Sequence, residues 1–174
     1  MTAQKEYVVL VDEQDNELGT MEKMQAHREG KLHRAISVFI FNSENKLLLQ
    51  KRADSKYHSA GLWTNTCCSH PYPDESPEIA AVRRLDEEMR LQCKLQPLFN
   101  FTYRAEFENH LTEHEFDHVF FGVSDAVPRP DPTEVSDWKY EDMDQIEKEL
   151  KKNPLHFTVW FMLIFEQVKS RLKK

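Results

Sequence analysis

The sequence predicts an α/β (α+β) domain, a mixed central β-sheet flanked by helices. Three observations carry this. RAISVFIFN and KLLLQKR are β-rich runs separated by Ser43, Glu44 and Asn45, the signature of a hairpin. SPEIAAVRRLDEEMRL places Ile79, Val82, Leu85 and Met89 at helical spacing, with Arg83, Arg84, Glu87 and Glu88 around the other faces. LQPLFNFTYRAEFEN and HLTEHEFDHVFFGVSD read as two long antiparallel strands turning near Asn109 and His110. The 174 residues suffice for one compact domain, 1–174, and no Gly/Ser linker or repeat marks a second.

The remaining elements follow in order. YVVLVDEQDNELGTMEK reads as a strand, a polar turn and a second extended piece. EKMQAHREGKLH is a short helix ending near Gly30, so His27 and His33 lie in it or just after it. Arg52 closes the second strand of the hairpin, and ADSKYHSAGLWTNT, which carries Lys56, has no sustained period and reads as a loop. TNTCCSHP, Thr64 to Pro71, runs toward a helix start at which Ser76 is the N-cap and Pro77 the first helical residue. AVPRPDPTEV is a proline-rich surface loop, and DWKYEDMDQIEKELKKN is a strand end followed by a helix whose acidic-to-basic order suits its dipole. The last helix, from about Phe157, is apolar nearly all round through Phe165, so it is read as largely buried and a candidate pocket wall.

A formal net charge of −7 gives no field that attracts nucleic acid, so any anion site has to be built locally from basic side chains. Three cysteines, two of them adjacent, make no disulfide framework and fit reduced thiols in the cytoplasm. MTAQKEYVVLVDE lacks a basic start and a long apolar core, and FTVWFMLIF is too short to span a bilayer, so neither a leader nor a membrane partner is expected.

Within this frame the chemistry gathers on TNTCCSHP. Cys68 lies two residues from His70, and the spacing puts it just ahead of a helix N-terminus, where partial positive charge stabilises a thiolate. The bland alternative is a small buried cysteine beside a structural histidine. Glu113 and Glu115 share one strand face, about 7 Å apart, and could share a metal ion or simply line a solvated face. His27, His33 and His70 are candidate ligands among eight histidines. Late acidic residues of the RRLDEE helix can hold Mg²⁺ against a diphosphate, or form an exposed salt-bridged face. Lys23, Arg52, Lys56 and Arg83 are the candidate diphosphate ligands of an acidic protein.

Taken together, TNTCCSHP, the preceding LHRAISVFIFN, the RRLDEE helix, TYRAEF, EHE and the late FTVWFM resemble type I isopentenyl-diphosphate Δ-isomerases, in the same order and through nearly the whole chain. The resemblance implies a Nudix-like sandwich with its core at about 31–165, and Ser69 to Leu91 occupies the place of the Nudix box. Ser69 and Arg90 stand where that box has glycines and Arg84 where it has its first metal-binding glutamate, which argues against phosphoanhydride hydrolysis. By the same resemblance His27, His33, His70, Glu113 and Glu115 bind one divalent ion (Mn²⁺, Zn²⁺ or Mg²⁺), and Glu88 binds Mg²⁺ that meets the diphosphate. It also implies that Cys68 and Glu115 are catalytic, that Tyr103 assists and that Trp160 faces the hydrocarbon. The substrate implied is a small prenyl diphosphate, and the state a monomer or weak dimer.

Moving a double bond in an unactivated alkene requires adding a proton at one carbon and removing another through a tertiary carbocation. Such chemistry needs an acid and a base across the substrate and a pocket closed to water. The competing readings are a Nudix-type diphosphate hydrolase and a non-catalytic metal-stabilised binding module.

Overall fold

Strand β3 (His33–Phe41) is the axis of the molecule, in a computed structural model that describes residues 6–107 and 109–172. The expectation that the first five residues carry no leader lies outside the described residues. All but one of the nine β3 residues are buried, as a near-continuous run of Ala, Ile, Val and Phe requires when both sheet faces are covered. β3 runs parallel to β8 (Thr112–Val123), in register from His33 opposite Glu115 to Phe41 opposite Val123. β8 in turn pairs antiparallel with β7 (Leu95–Glu106), as the alternation of the two long strands predicts. On its other side β3 meets β6 (Cys67–Ser69), and at Leu10 opposite His33 it meets β1 (Tyr7–Val11), which pairs with β2 (Glu17–Glu22).

The predicted hairpin forms only at its turn. β4 (Leu47–Arg52) pairs with β3 at Phe41 opposite Leu47 and then diverges to pair with β5 (Trp63–Thr64) and β9 (Val135–Glu141). The gap between β3 and β4 is filled by TNT. The Ile40 N–H donates to the Thr66 hydroxyl at 2.9 Å, and that hydroxyl donates to the Leu48 carbonyl at 2.7 Å. The Asn65 amide donates to the carbonyls of Val38 and Cys67 at 3.2 and 2.8 Å. Thr64, Asn65 and Thr66 are fully buried, so these bonds satisfy main-chain groups that a ladder would otherwise serve.

Two apolar layers cover the sheet. Ile36, Val38 and Ile40 pack with Cys67 against Ala80, Ala81, Leu85 and Met89 of α2 (Pro77–Met89). Phe39 and Phe41 pack on the other side with Ile146 of α3 (Met143–Lys152) and with Trp160, Phe161, Ile164 and Phe165 of α4 (Val159–Leu172). Alternation along β6 therefore sends Cys67 toward α2 and Cys68 toward the α4 side.

Helix α2 starts as expected, with the Ser76 hydroxyl accepting from the Ile79 N–H and Pro77 in the first position. Its buried face is rotated from the one the spacing suggests. Ile79 and Val82 are exposed, and the contact is made by Ala80 and Ala81, whose small side chains allow the helix to lie close to the sheet. Similarly, Leu163 leaves part of α4 facing solvent, so that helix is not apolar all round in its setting. A shorter helix, α1 (Lys23–Glu29), is capped by the Glu22 carboxylate and ended by Gly30 in the left-handed region at φ 61°. Among the described residues no helix is long and apolar enough to cross a membrane.

The Thr66 bridge gives a direct test. Thr66→Val keeps shape but strands the Ile40 N–H and the Leu48 carbonyl in the interior, at about 1–3 kcal/mol for each unsatisfied group. Urea unfolding should show a loss of roughly 2–6 kcal/mol, whereas a loss within about 0.5 kcal/mol, the size of an ordinary surface substitution, would mean that the hydroxyl does not carry the gap.

Candidate active site

Strand register assembles the site on the α4 side of the sheet. Tyr103 lies opposite Glu115 across β7 and β8, Glu115 opposite His33 across β8 and β3, and Ser37 opposite Cys68 across β3 and β6. Because facing residues in a ladder point to the same side, these pairs converge although they are far apart in sequence. His70 follows β6 directly, and His27 arrives from α1.

Two of the three imidazoles are oriented from behind. His27 Nδ1 donates to the Lys23 carbonyl at 2.7 Å and His33 Nδ1 to the Lys31 carbonyl at 2.8 Å, which leaves each Nε2 as a bare lone pair. His27 Nε2 is buried with no hydrogen-bond partner among the described residues. His33 Nε2 stands 3.2 Å from His70 Nε2, and His70 Nε2 stands 2.9 Å from Glu115 Oε1. Ring nitrogens and carboxylate oxygens facing each other at this spacing match neighbouring ligands around one cation. His27, His33, His70 and Glu115 lie within such reach of one another, and Glu113 joins His27 from the adjoining position together with His58. The three imidazoles and Glu115 are a donor set that fits one divalent ion, and Glu113 groups with His27 and His58 rather than with all four of them.

Burial holds His27 down to about 4 and His70 to about 3, so both imidazoles are neutral at physiological pH. Burial, and then the nearby Glu115 charge, push Glu113 up to about 8. For Glu115 burial also pushes upward, but the His33 and His70 rings beside it, with His70 Nε2–H donating at 2.9 Å, hold the carboxyl well below its ordinary range. The Tyr103 hydroxyl donates to both carboxylates, at 2.7 Å to Glu115 Oε2 and 3.0 Å to Glu113 Oε2.

Cys68 faces the same pocket, but not from the position expected. It lies within β6, and a loop separates it from the start of α2 at Pro77, so the helix N-terminus does not stabilise a thiolate. Burial instead pushes the thiol up, opposed chiefly by the Arg52 guanidinium, and Cys68 rests protonated. Trp160 of α4 lines the pocket, with the Arg52 guanidinium 5.2 Å above its ring.

The basic candidates Lys23, Arg52, Lys56 and Arg83 all reach this pocket. Lys23 pairs with Glu6 at 2.7 Å, Lys56 pairs with Glu134, and Arg83 grips Glu75 through two bonds of 2.7 Å while stacking on Tyr72. Glu88 is nearly fully buried and accepts from Gln50 at 2.9 Å and Arg84 at 2.7 Å, so Arg84 rather than Glu88 meets the pocket.

Sequence reasoning missed His58 and Glu134. His58 sits in an aperiodic loop with no motif to distinguish it from the other histidines, and Glu134 comes from the proline-rich loop far downstream. The proximity of His58 to Lys56 was the one available signal.

The NUDIX domain model matches residues 31–161. A Pectobacterium atrosepticum protein named isopentenyl-diphosphate Delta-isomerase is 55% identical over 92% of this chain and 90% of its own length. A protein of Aromatoleum aromaticum named isopentenyl-diphosphate Delta-isomerase 1 is 54% identical over 94% of this chain and 93% of its own. Among solved structures, a protein from Deinococcus radiodurans superposes with a TM-score of 0.79 at 20% identity, covering 93% of this chain and 98% of that one. The MutT protein of Methanosarcina mazei gives 0.67 at 20% identity, covering 82% and 96%. At these identities the two structures speak for the fold, a Nudix sandwich. The sequence relatives match at about half of all positions along nearly their full length, and on that ground the chain belongs to the isopentenyl-diphosphate Δ-isomerase family, built on the NUDIX domain.

Proposed function

We propose that the protein interconverts isopentenyl diphosphate and dimethylallyl diphosphate, a step of isoprenoid biosynthesis. The observation that carries the reading is that Cys68 and the Tyr103–Glu115 pair line one buried pocket whose wall includes Trp160. That pocket offers a proton donor and a proton acceptor to one substrate. Cys68 holds its proton at rest and Glu115 is ionised, so in one direction the thiol protonates the alkene and the carboxylate takes a proton from the allylic carbon. In the reverse direction the roles exchange. Tyr103 positions Glu115 through its 2.7 Å hydrogen bond. The Trp160 face can stabilise the intervening tertiary cation by about 2 kcal/mol in a dry site, on the order of tenfold or more in rate.

His27, His33, His70, Glu113 and Glu115 are the residues that would hold one Mn²⁺, Zn²⁺ or Mg²⁺ ion. The chemistry such an ion supplies is positive charge that permits two carboxylates to be buried side by side and fixes the orientation of Glu115. Lys23, Arg52, Lys56 and Arg83 orient the diphosphate, which competes with Glu6, Glu134 and Glu75 for the paired cations. Glu88 would help to hold a Mg²⁺ ion that neutralises diphosphate charge only if Arg84 turned aside, because Arg84 covers it here.

Incubation with isopentenyl diphosphate in deuterated water tests the reading. Dimethylallyl diphosphate carrying deuterium is the expected product, whereas release of phosphate would indicate a diphosphate hydrolase and recovery of unlabelled starting material a binding module. Within the isomerase reading, Cys68→Ala should lower turnover by at least a hundredfold, the lower range for a positioned acid–base group. Cys67→Ala, on the α2 side, should retain most activity. The opposite ranking, measured on variants with wild-type circular dichroism, would remove Cys68 from the reaction.

A further inference from the structure

We propose that His58 is a positioning residue: its ring N–H holds Glu113 for the metal centre and thereby fastens the loop between β4 and β5 to the ligand set. The inference rests on the metal-binding reading of His27, His33, His70, Glu113 and Glu115 given above.

His58 belongs to an aperiodic loop, yet it is 7% exposed. Its Nε2 lies 3.0 Å from Glu113 Oε1, and its Nδ1 lies 3.2 Å from the Ser59 hydroxyl. A carboxylate that binds an ion can only accept, so with Glu113 in that role Nε2 carries the ring proton and the Ser59 hydroxyl donates to Nδ1. The Tyr103 hydroxyl occupies the other oxygen of Glu113 at 3.0 Å. Glu113 is thus held at both oxygens, and its remaining lone pairs are available beside His27, which lies within ligand reach of both Glu113 and His58.

The rest of His58 is tied to the substrate walls. Its ring stacks on Phe107 with centroids 4.8 Å apart and meets the Trp160 ring edge-on at 5.9 Å. Its backbone carbonyl accepts from Arg52 Nη2 at 3.2 Å, and that guanidinium covers Trp160. One loop residue therefore touches a metal carboxylate, the hydrocarbon wall and the arginine set to meet the diphosphate. An outer partner that orients a ligating carboxylate typically changes metal affinity by about 10–100-fold.

Two variants separate the hydrogen bond from the packing. His58→Phe keeps a ring against Phe107 and Trp160 but has no donor, and His58→Gln keeps a donor at similar reach without the ring. Zn²⁺ dissociation constants are measured on metal-stripped protein by competition with a chromogenic chelator, with circular dichroism confirming the fold. His58→Leu repeats the donor-free case should the Phe variant fail to fold. The expected result is a dissociation constant raised tenfold or more in the donor-free variant, with His58→Gln clearly closer to wild type. A donor-free variant less than tenfold weaker, or a Gln variant as impaired as it, overturns the role of His58. Failure of the wild type itself to bind Zn²⁺ would instead refute the metal-binding reading, so the two failures are distinct.

Discussion

The convergence of bare imidazole nitrogens on two buried carboxylates is the constraint on which the site depends. Glu113 and Glu115 are each less than 10% exposed and lie on one face of β8. Two such charges cannot both be buried without compensation, which is why Glu113 is driven up to about 8. Compensation comes from His33 and Tyr103, placed by strand register opposite Glu115, and from His70, which follows β6 and reaches Glu115 at 2.9 Å. A divalent ion at the proposed site would complete the balance by giving Nε2 of His27, His33 and His70 a common partner. The placing of Tyr103 beside Glu115, the proposed proton-transfer pair, belongs to the same arrangement.

A second constraint shapes the pocket itself. β3 and β4 separate after a single facing pair because the segment from Trp63 to Ser69 enters between them, β6 taking the edge of β3 and β5 the edge of β4. The opening exposes main-chain donors and acceptors, and the Asn65 and Thr66 side chains close it. TNTCCSHP therefore divides its work along its length: the first three residues wedge the sheet apart, Cys67 joins the α2 layer, and Cys68 and His70 face the pocket. Splaying the strands is what admits β6 beside β3 and brings Cys68 onto the sheet face that carries Glu115.

Much of this was legible in the chain. Strand alternation in TEHEFDHVFF places Glu113 and Glu115 on one face, and Ser76-Pro77 marks the start of α2. What local pattern could not give was pairing. The Ser43-Glu44-Asn45 turn predicts a hairpin, but the segment that carries β5 and β6 enters between its strands and opens it. The same blindness misplaced the electrostatics of Cys68, since nothing in the spacing to Pro77 shows that a strand and a loop intervene. Helical periodicity found α2 but not its buried face, because Ala80 and Ala81 carry little hydrophobic signal and matter through their size. His58 and Glu134 reach the site by tertiary contact alone. The proposed metal set and the proposed role of Trp160 come from the motif resemblance, since residue type and spacing leave both open.

The central claim is that the three histidines and two glutamates form a single metal site. Anomalous diffraction at the zinc edge, from crystals grown with Zn²⁺, tests it most directly. The account predicts one dominant peak at about 2.0–2.2 Å from Nε2 of His27, His33 and His70 and from carboxylate oxygens of Glu113 and Glu115. A fully occupied peak elsewhere, with His33 and His70 still facing each other across empty density, would contradict it.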